Sequence, residues 1–204
     1  MSFQDHLPKS LLDLYEVYDY NHAAAILVHE FPHEFAELLD VLLKFKFADA
    51  DVTAKGGNES RIPKKFSSLL NPYGWKPENL EAGITVNGTT VHVQTHKVDY
   101  IKGNVAFDLE WNSKDQTFDR DLYAFRTFHE YHLISVGVLV TRSSDLNPYF
   151  KSLGKDQTGK KYEDKYGAST TWMPKLIPRL DANRHGGCPV LAIGITRNQV
   201  DNTP

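Results

Sequence analysis

Cysteine is almost missing from this sequence: Cys188 stands alone. One thiol cannot close an internal disulfide, and with no second cysteine beside it a thiolate metal centre is not expected. Long apolar runs are missing too, since none approaches the roughly 18 to 20 residues that a membrane-spanning helix requires. The first ten residues, MSFQDHLPKS, lack the basic and apolar regions of a secretory signal. These absences predict a soluble, intracellular protein of the cytoplasm with no membrane partner. Internal repeats and low-complexity tracts long enough to separate domains are also absent. A 204-residue chain with 41% hydrophobic residues is therefore expected to build one core and one domain over residues 1–204.

A large excess of positive charge is lacking as well. The net charge of −3 argues against indiscriminate binding of polyanions. Its distribution is uneven: residues 1–50 hold nine acids against three bases, which leaves a net +3 on the rest. Basic clusters at Arg61, Lys64 and Lys65, and from Lys151 to Lys165, are able to meet phosphates, although such clusters more often belong to solvated loops. The histidines at 22, 29, 33, 129 and 132 are scattered without the acid of a zinc-binding pattern, and read as core or surface residues.

What is present alternates between helical and strand periodicity. Phe31, Phe35, Leu38, Leu39, Leu42 and Leu43 recur at helical spacing and predict an amphipathic helix from about His33 to Phe47. Residues 48–65 read as a polar loop, followed by a short helix around 65–70. From Ile84 the pattern becomes β-rich, with a hairpin turning at Asn87-Gly88 and a second hairpin in HKVDYIKGNVAFDLEW. Phe118, Leu122, Phe125 and Phe128 define a helix over 118–132, with Thr117 as N-cap and Asp119 and Asp121 near its positive end. ISVGVLV and PVLAIGIT read as buried strands, with a polar, lysine-rich exposed excursion between them. Together these elements predict an α/β or α+β domain with a mixed sheet flanked by helices.

The second hairpin carries the chemistry. Taking Gly103-Asn104 as a two-residue turn pairs Lys102 with Val105, Ile101 with Ala106 and Tyr100 with Phe107, so that Asp99 faces Asp108. Side chains alternate along a strand, so Glu110 shares the face of Asp108. The opposite face collects Val98, Tyr100, Phe107, Leu109 and Trp111. Opposed aspartates lie about 4.5 to 5.5 Å apart at Cβ and repel unless something compensates. A divalent cation does so, and an all-oxygen set suits a hard ion such as Mg²⁺, which is able to polarise a phosphodiester and activate water. A solvated hairpin whose acids pair with Lys97, Lys102 or Lys114 is the structural alternative. A glycosidase, which also needs two carboxylates, finds no further support.

The string DYIKGNVAFDLE resembles the active-site hairpin of type II restriction endonucleases of the PD-(D/E)xK superfamily, in particular the BglII and BstYI group. LYEVYDYNHAAAILVHEFPHEF, Gly74-Trp75-Lys76, the helix after the hairpin and the closing HGGCPVLAIGI resemble that group's segments in the same order. The resemblance implies a restriction-endonuclease-like α/β fold with a mixed central sheet. It implies that Asp99 and Asp108 are catalytic and bind Mg²⁺, and that Leu109 lends its backbone carbonyl to the metal. Glu110 stands where the superfamily commonly has lysine and the group has glutamine, although BamHI is similar in having an acid there. Glu110 is then either a general base or a further metal ligand, with Lys97 or Lys114 as sources of the missing positive charge. Asn112, Ser113 and Lys114 fall where the family approaches the major groove. Ser169 and Thr170, within 167–171, and Arg184 beside His185 are further candidates for base or phosphate contact.

The resemblance thus implies a homodimer that cuts a short palindromic double-stranded DNA site, centred on GATC, with Mg²⁺, leaving 5′-phosphate ends. A cognate DNA methyltransferase is the expected partner in the same system. Two rivals remain at this point: a repair or modification-dependent nuclease, and a catalytically silent DNA-binding module of the same fold.

Overall fold

The computed structural model describes residues 2–54 and 60–201, and leaves the side chains at 80–86 and 89–96 outside that description. Six strands, β1 (Tyr15–Tyr20), β2 (Lys76–Val86), β3 (Thr89–Lys102), β4 (Val105–Glu110), β5 (Val136–Arg142) and β6 (Val190–Ile195), form one mixed sheet in the order β1-β6-β5-β4-β3-β2. β4, β5 and β6 run parallel, while β1 joins β6 and the β2–β3–β4 meander is added antiparallel. The helices are α1 (Lys9–Leu12), α2 (Ala23–Glu30), α3 (Pro32–Lys44), α4 (Asp49–Thr53), α5 (Arg61–Leu70), α6 (Thr117–Glu130), α7 (Asn147–Ser152), α8 (Tyr162–Lys165) and α9 (Met173–Asp181). This is the expected α/β architecture.

The three parallel strands are buried at every position, as their near-continuous apolar sequences require of strands covered on both faces. On one face Val105, Phe107, Leu109 and Trp111 pack with residues of α2, α3 and α5. On the other, Ala106, Leu139, Val190 and Ala192 pack against α6 and α9. α6 contributes Phe118, Leu122, Phe125 and Phe128, each completely buried, and burial of this kind stabilises by about 1.5 to 3 kcal/mol per side chain. It lies close to the sheet because Gly137 of β5 has no Cβ: one built there would stand 2.5 Å from the Phe125 ring.

Several local expectations shift. The helix expected to reach Phe47 ends at Lys44, and Phe45 and Phe47 leave it to become fully buried. The stretch 48–65, read as loop, contains α4 and the start of α5; its residues 55–59 lie outside the described residues. Thr117 is the first residue of α6, not its cap, and its hydroxyl donates to the Lys114 carbonyl at 2.8 Å. The two expected hairpins share β3 and merge into one meander. The excursion over 152–170 is not wholly exposed, because Tyr166 is buried.

Candidate active site

Gly103 and Asn104 form the turn between β3 and β4, with Gly103 at φ +52°, a conformation that glycine adopts at little cost. The ladder pairs Lys102 with Val105, Ile101 with Ala106 and Tyr100 with Phe107, the anticipated register, and then stops. The next pair would be Asp99 and Asp108. In place of a backbone ladder bond, the Asp99 amide donates to Asp108 Oδ1 at 2.6 Å, and the Leu109 amide donates to Asp99 Oδ2 at 3.3 Å. Each aspartate is thus held by the strand opposite its own. The divergence also moves Val98: it packs with Ala106 on the α6 face, whereas Tyr100 packs on the other, so the anticipated grouping of Val98 with Tyr100 and Phe107 fails. Strict alternation does not carry through a position where the ladder opens.

On β4, alternation directs Asp108 and Glu110 towards α6. Both are buried, at 2% and 6% exposure, whereas Asp99 opens to solvent. They meet there an acid and a base that the hairpin sequence does not contain. Asp121 on α6 is itself only 2% exposed. Its Oδ1 accepts from Arg120 Nε and Nη2 at 3.2 and 3.1 Å, and Arg120 Nη2 stands 3.5 Å from Glu110 Oε1. The spacing held a signal for Asp121: it lies three residues after Phe118, on the apolar stripe of the helix, where an acid has no reason to be unless it is used. Asp119, by contrast, faces outward and pairs with Arg179 and Arg184.

Crowding of acids in a site withdrawn from water raises their pKa values. Burial pushes Asp108 well above the carboxylate range, reinforced by Asp121 and Asp99. Burial also raises Glu110, against hydrogen bonds from Ser113, Asp121 and Thr117. Asp121 is pushed up to about 8, by burial and then by the charge of Glu110, with Arg120 opposing. The carboxyl of Asp99 is raised by the protein atoms packed around it even though the residue is open on one side, with the Leu109 amide, Arg120 and Lys97 pulling the other way. Burial thus raises both acids of this pair, and the interaction between them lowers Glu110 and raises Asp121.

Three carboxyl oxygens remain buried without a partner: Asp108 Oδ2, Glu110 Oε2 and Asp121 Oδ2. Buried acceptors of this kind cost free energy until a proton or a cation engages them. The donor set, carboxylate oxygen with a backbone carbonyl nearby, fits a hard divalent ion. Among the described residues, no three His, Cys, Asp or Glu side chains already converge in a metal-binding arrangement. A cleft of about 470 Å³ opens beside the acids, bordered by Asn71, Lys97, Asp99, Leu109, Glu110 and Ser113.

The candidate DNA-contacting residues divide into two groups. Lys114 bridges Thr170 as an isolated antiparallel pair, the Asp115 amide donates to the Ser169 carbonyl at 3.1 Å, and the Thr171 amide donates to the Ser113 carbonyl at 2.9 Å. Residues 112–115 and 167–171 therefore lie side by side at the end of β4, next to the acids. Arg184 does not join them; it is engaged with Asp119 on α6. Lys97 borders the cleft, but the base closest to Glu110 is Arg120, not Lys97 or Lys114.

No curated protein matches the chain. A family model described as "Restriction endonuclease BglII/BglIII" matches residues 15–195, a span that begins with β1 and ends with β6 and so takes in the whole sheet, the acids and both flanking segments. With most of its length covered, the chain belongs to the BglII/BglIII restriction endonuclease family.

Proposed function

We propose that this chain is one nuclease domain, a Mg²⁺-dependent type II deoxyribonuclease that hydrolyses both strands of a short palindromic site, centred on GATC, and leaves 5′-phosphate ends. The observation that carries this reading is the set of buried, unpartnered carboxyl oxygens on Asp108, Glu110 and Asp121 beside an open cleft. Asp99, Asp108, Glu110 and the Leu109 carbonyl would hold the metal. When bound, it supplies Lewis-acid activation of the phosphodiester and of water.

The protein's own groups account for the remaining steps. Glu110 borders the cleft, where its carboxyl group is placed either to take a proton from water or to join the other acids in holding the metal. Arg120 takes the electrostatic part that lysine plays elsewhere in the superfamily: its guanidinium lies against Glu110 and Asp121, and its side chain is 48% exposed. Negative charge that develops on a phosphate in the cleft meets that cation. Asn112, Ser113, Lys114, Ser169 and Thr170 form the reading surface, and Arg184 contacts the phosphate backbone outside it. Tyr123, Tyr131 and Leu133, at 46%, 49% and 45% exposure, place exposed apolar groups on and just after α6, which supports pairing of two copies through that helix. A methyltransferase with the same site, acting in the same cytoplasm, protects the host DNA.

Plasmid DNA digested with Mg²⁺, followed by sequencing of the ends, tests the proposal. Discrete fragments with a common terminal sequence are expected, and Asp108→Asn abolishes them. Absence of discrete ends on unmodified DNA, or an Asp108→Asn protein that cuts as well as the wild type, rejects it. Cutting confined to methylated DNA transfers the protein to a modification-dependent role.

A further inference from the structure

Arg142, the last residue of β5, is 1% exposed, and among the described residues no carboxylate lies within ion-pair distance of it. A buried guanidinium without an acid is costly unless its donors are all used. Each of its three nitrogens donates, to acceptors on two separate segments. Nε donates to the Trp111 carbonyl at 2.7 Å, Nη1 to the Tyr166 carbonyl at 3.3 Å, and Nη2 to Thr170 Oγ1 at 2.5 Å. The rings of Tyr166, Phe150 and Trp111 surround the cation, with centroids 5.2, 5.5 and 6.0 Å away, and Phe150 stacks on Tyr166 at 4.0 Å. Burial lowers its pKa only to about 10, so the charge persists at neutral pH.

Trp111 immediately precedes the 112–115 segment, and Tyr166 and Thr170 flank and belong to the 167–171 segment. Thr170 passes the restraint on, because its hydroxyl also donates to the Gly167 carbonyl at 2.7 Å. Asn112 Nδ2 adds a bond to the Lys165 carbonyl at 3.2 Å. The bonds that satisfy the buried cation therefore also attach both outer segments to the end of β5.

We propose that Arg142 is a positioning residue for DNA sequence recognition, which fixes residues 167–171 against residues 112–115 so that both present to the duplex as one rigid platform. This rests on the reading of those segments as the DNA-contacting surface. Thr170 then acts through its bond to Arg142, while the exposed side chains of Lys114 and Ser169 are left to meet the DNA. Lysine cannot substitute for the arginine, since one ammonium does not reproduce a planar fork that reaches three acceptors on different segments.

The test compares wild type with Arg142→Lys, Thr170→Val and Thr170→Ser on a duplex library randomised at the recognition site, with the cut ends sequenced and amide exchange of Thr171 measured alongside. Arg142→Lys and Thr170→Val are expected to lower the ratio of cognate to single-mismatch cutting about tenfold and to speed exchange at Thr171, whereas Thr170→Ser, which keeps the hydroxyl that accepts from Arg142, keeps exchange at Thr171 slow. If Arg142→Lys does not fold, Thr170→Val, which keeps the arginine and its rings, decides. Wild-type DNA ends without a common sequence overturn the nuclease reading and this role with it. Discrete wild-type ends with an unchanged ratio in the folded variants overturn the role of Arg142 alone.

Discussion

Replacing Asp121 by asparagine should change how stability responds to pH more than it changes stability itself. In the folded protein the Asp121 carboxyl keeps its proton up to about pH 8, whereas in the unfolded chain it loses it near the ordinary value of about 3.9. Between those limits unfolding releases a proton, so raising the pH favours the unfolded state by about 1.4 kcal/mol per unit. From pH 5 to pH 8 this amounts to about 4 kcal/mol, a large part of the stability of a typical domain. Below the lower limit both states are protonated, and above the upper one both are ionised, so the slope vanishes at each end. Asparagine can still accept from Arg120 and donate to Glu110, but it has nothing to titrate. Urea unfolding in a chelator at pH 5, 6, 7 and 8 measures the difference. The two lines should lie close together at pH 5 and separate as the pH rises, with the wild-type line falling and that of Asp121→Asn nearly level. Parallel lines would refute the assignment of the proton to Asp121.

Two further perturbations probe the same region. Gly137→Ala drives a Cβ to within 2.5 Å of the Phe125 ring; the expected cost is about 1 to 3 kcal/mol, read as a lowered unfolding temperature, with a fall in cleavage as α6 lifts Asp121 away from Glu110. A variant that matched wild type in both would show that the close approach of helix to sheet is dispensable. Arg120→Ala should lower the cleavage rate constant by about 10²-fold or more with a smaller effect on DNA affinity, and Arg120→Lys should restore part of it. Loss confined to affinity would make Arg120 a simple phosphate contact.

The parts of the molecule legible in the sequence are those fixed over short distances. The Asn87-Gly88 and Gly103-Asn104 turns set hairpin register within a few residues, so Tyr100 opposite Phe107 followed directly from the turn. α3 and α6 were visible because their apolar stripes repeat locally. β1 was not: Glu16 and Asp19 interrupt its pattern, and its partner β6 lies at the other end of the chain, with Tyr15 opposite Ile195. The acids of the hairpin were legible, but their surroundings were not. Asp121 reaches Glu110 only through the docking of a helix on a sheet, and the polar segment 167–171 gives no hint in its own sequence that a buried arginine in β5 anchors it.

The β3–β4 hairpin is secured unequally along its length. At the turn, Lys102 Nζ is tied to Glu37 at 2.5 Å and to the Tyr73 carbonyl at 2.8 Å, and the Gly103 Cα faces Glu34 on α3. At the other end, Asp99 and Asp108 are joined only by a side chain in place of a ladder bond. β4 stays paired with β5 through Asp108 and Glu110, so it is β3 that departs from the pair at Asp99. Whatever enters between the two aspartates therefore meets one carboxylate set in the buried middle of the sheet and another on a strand that has left the ladder, so any adjustment falls to Asp99.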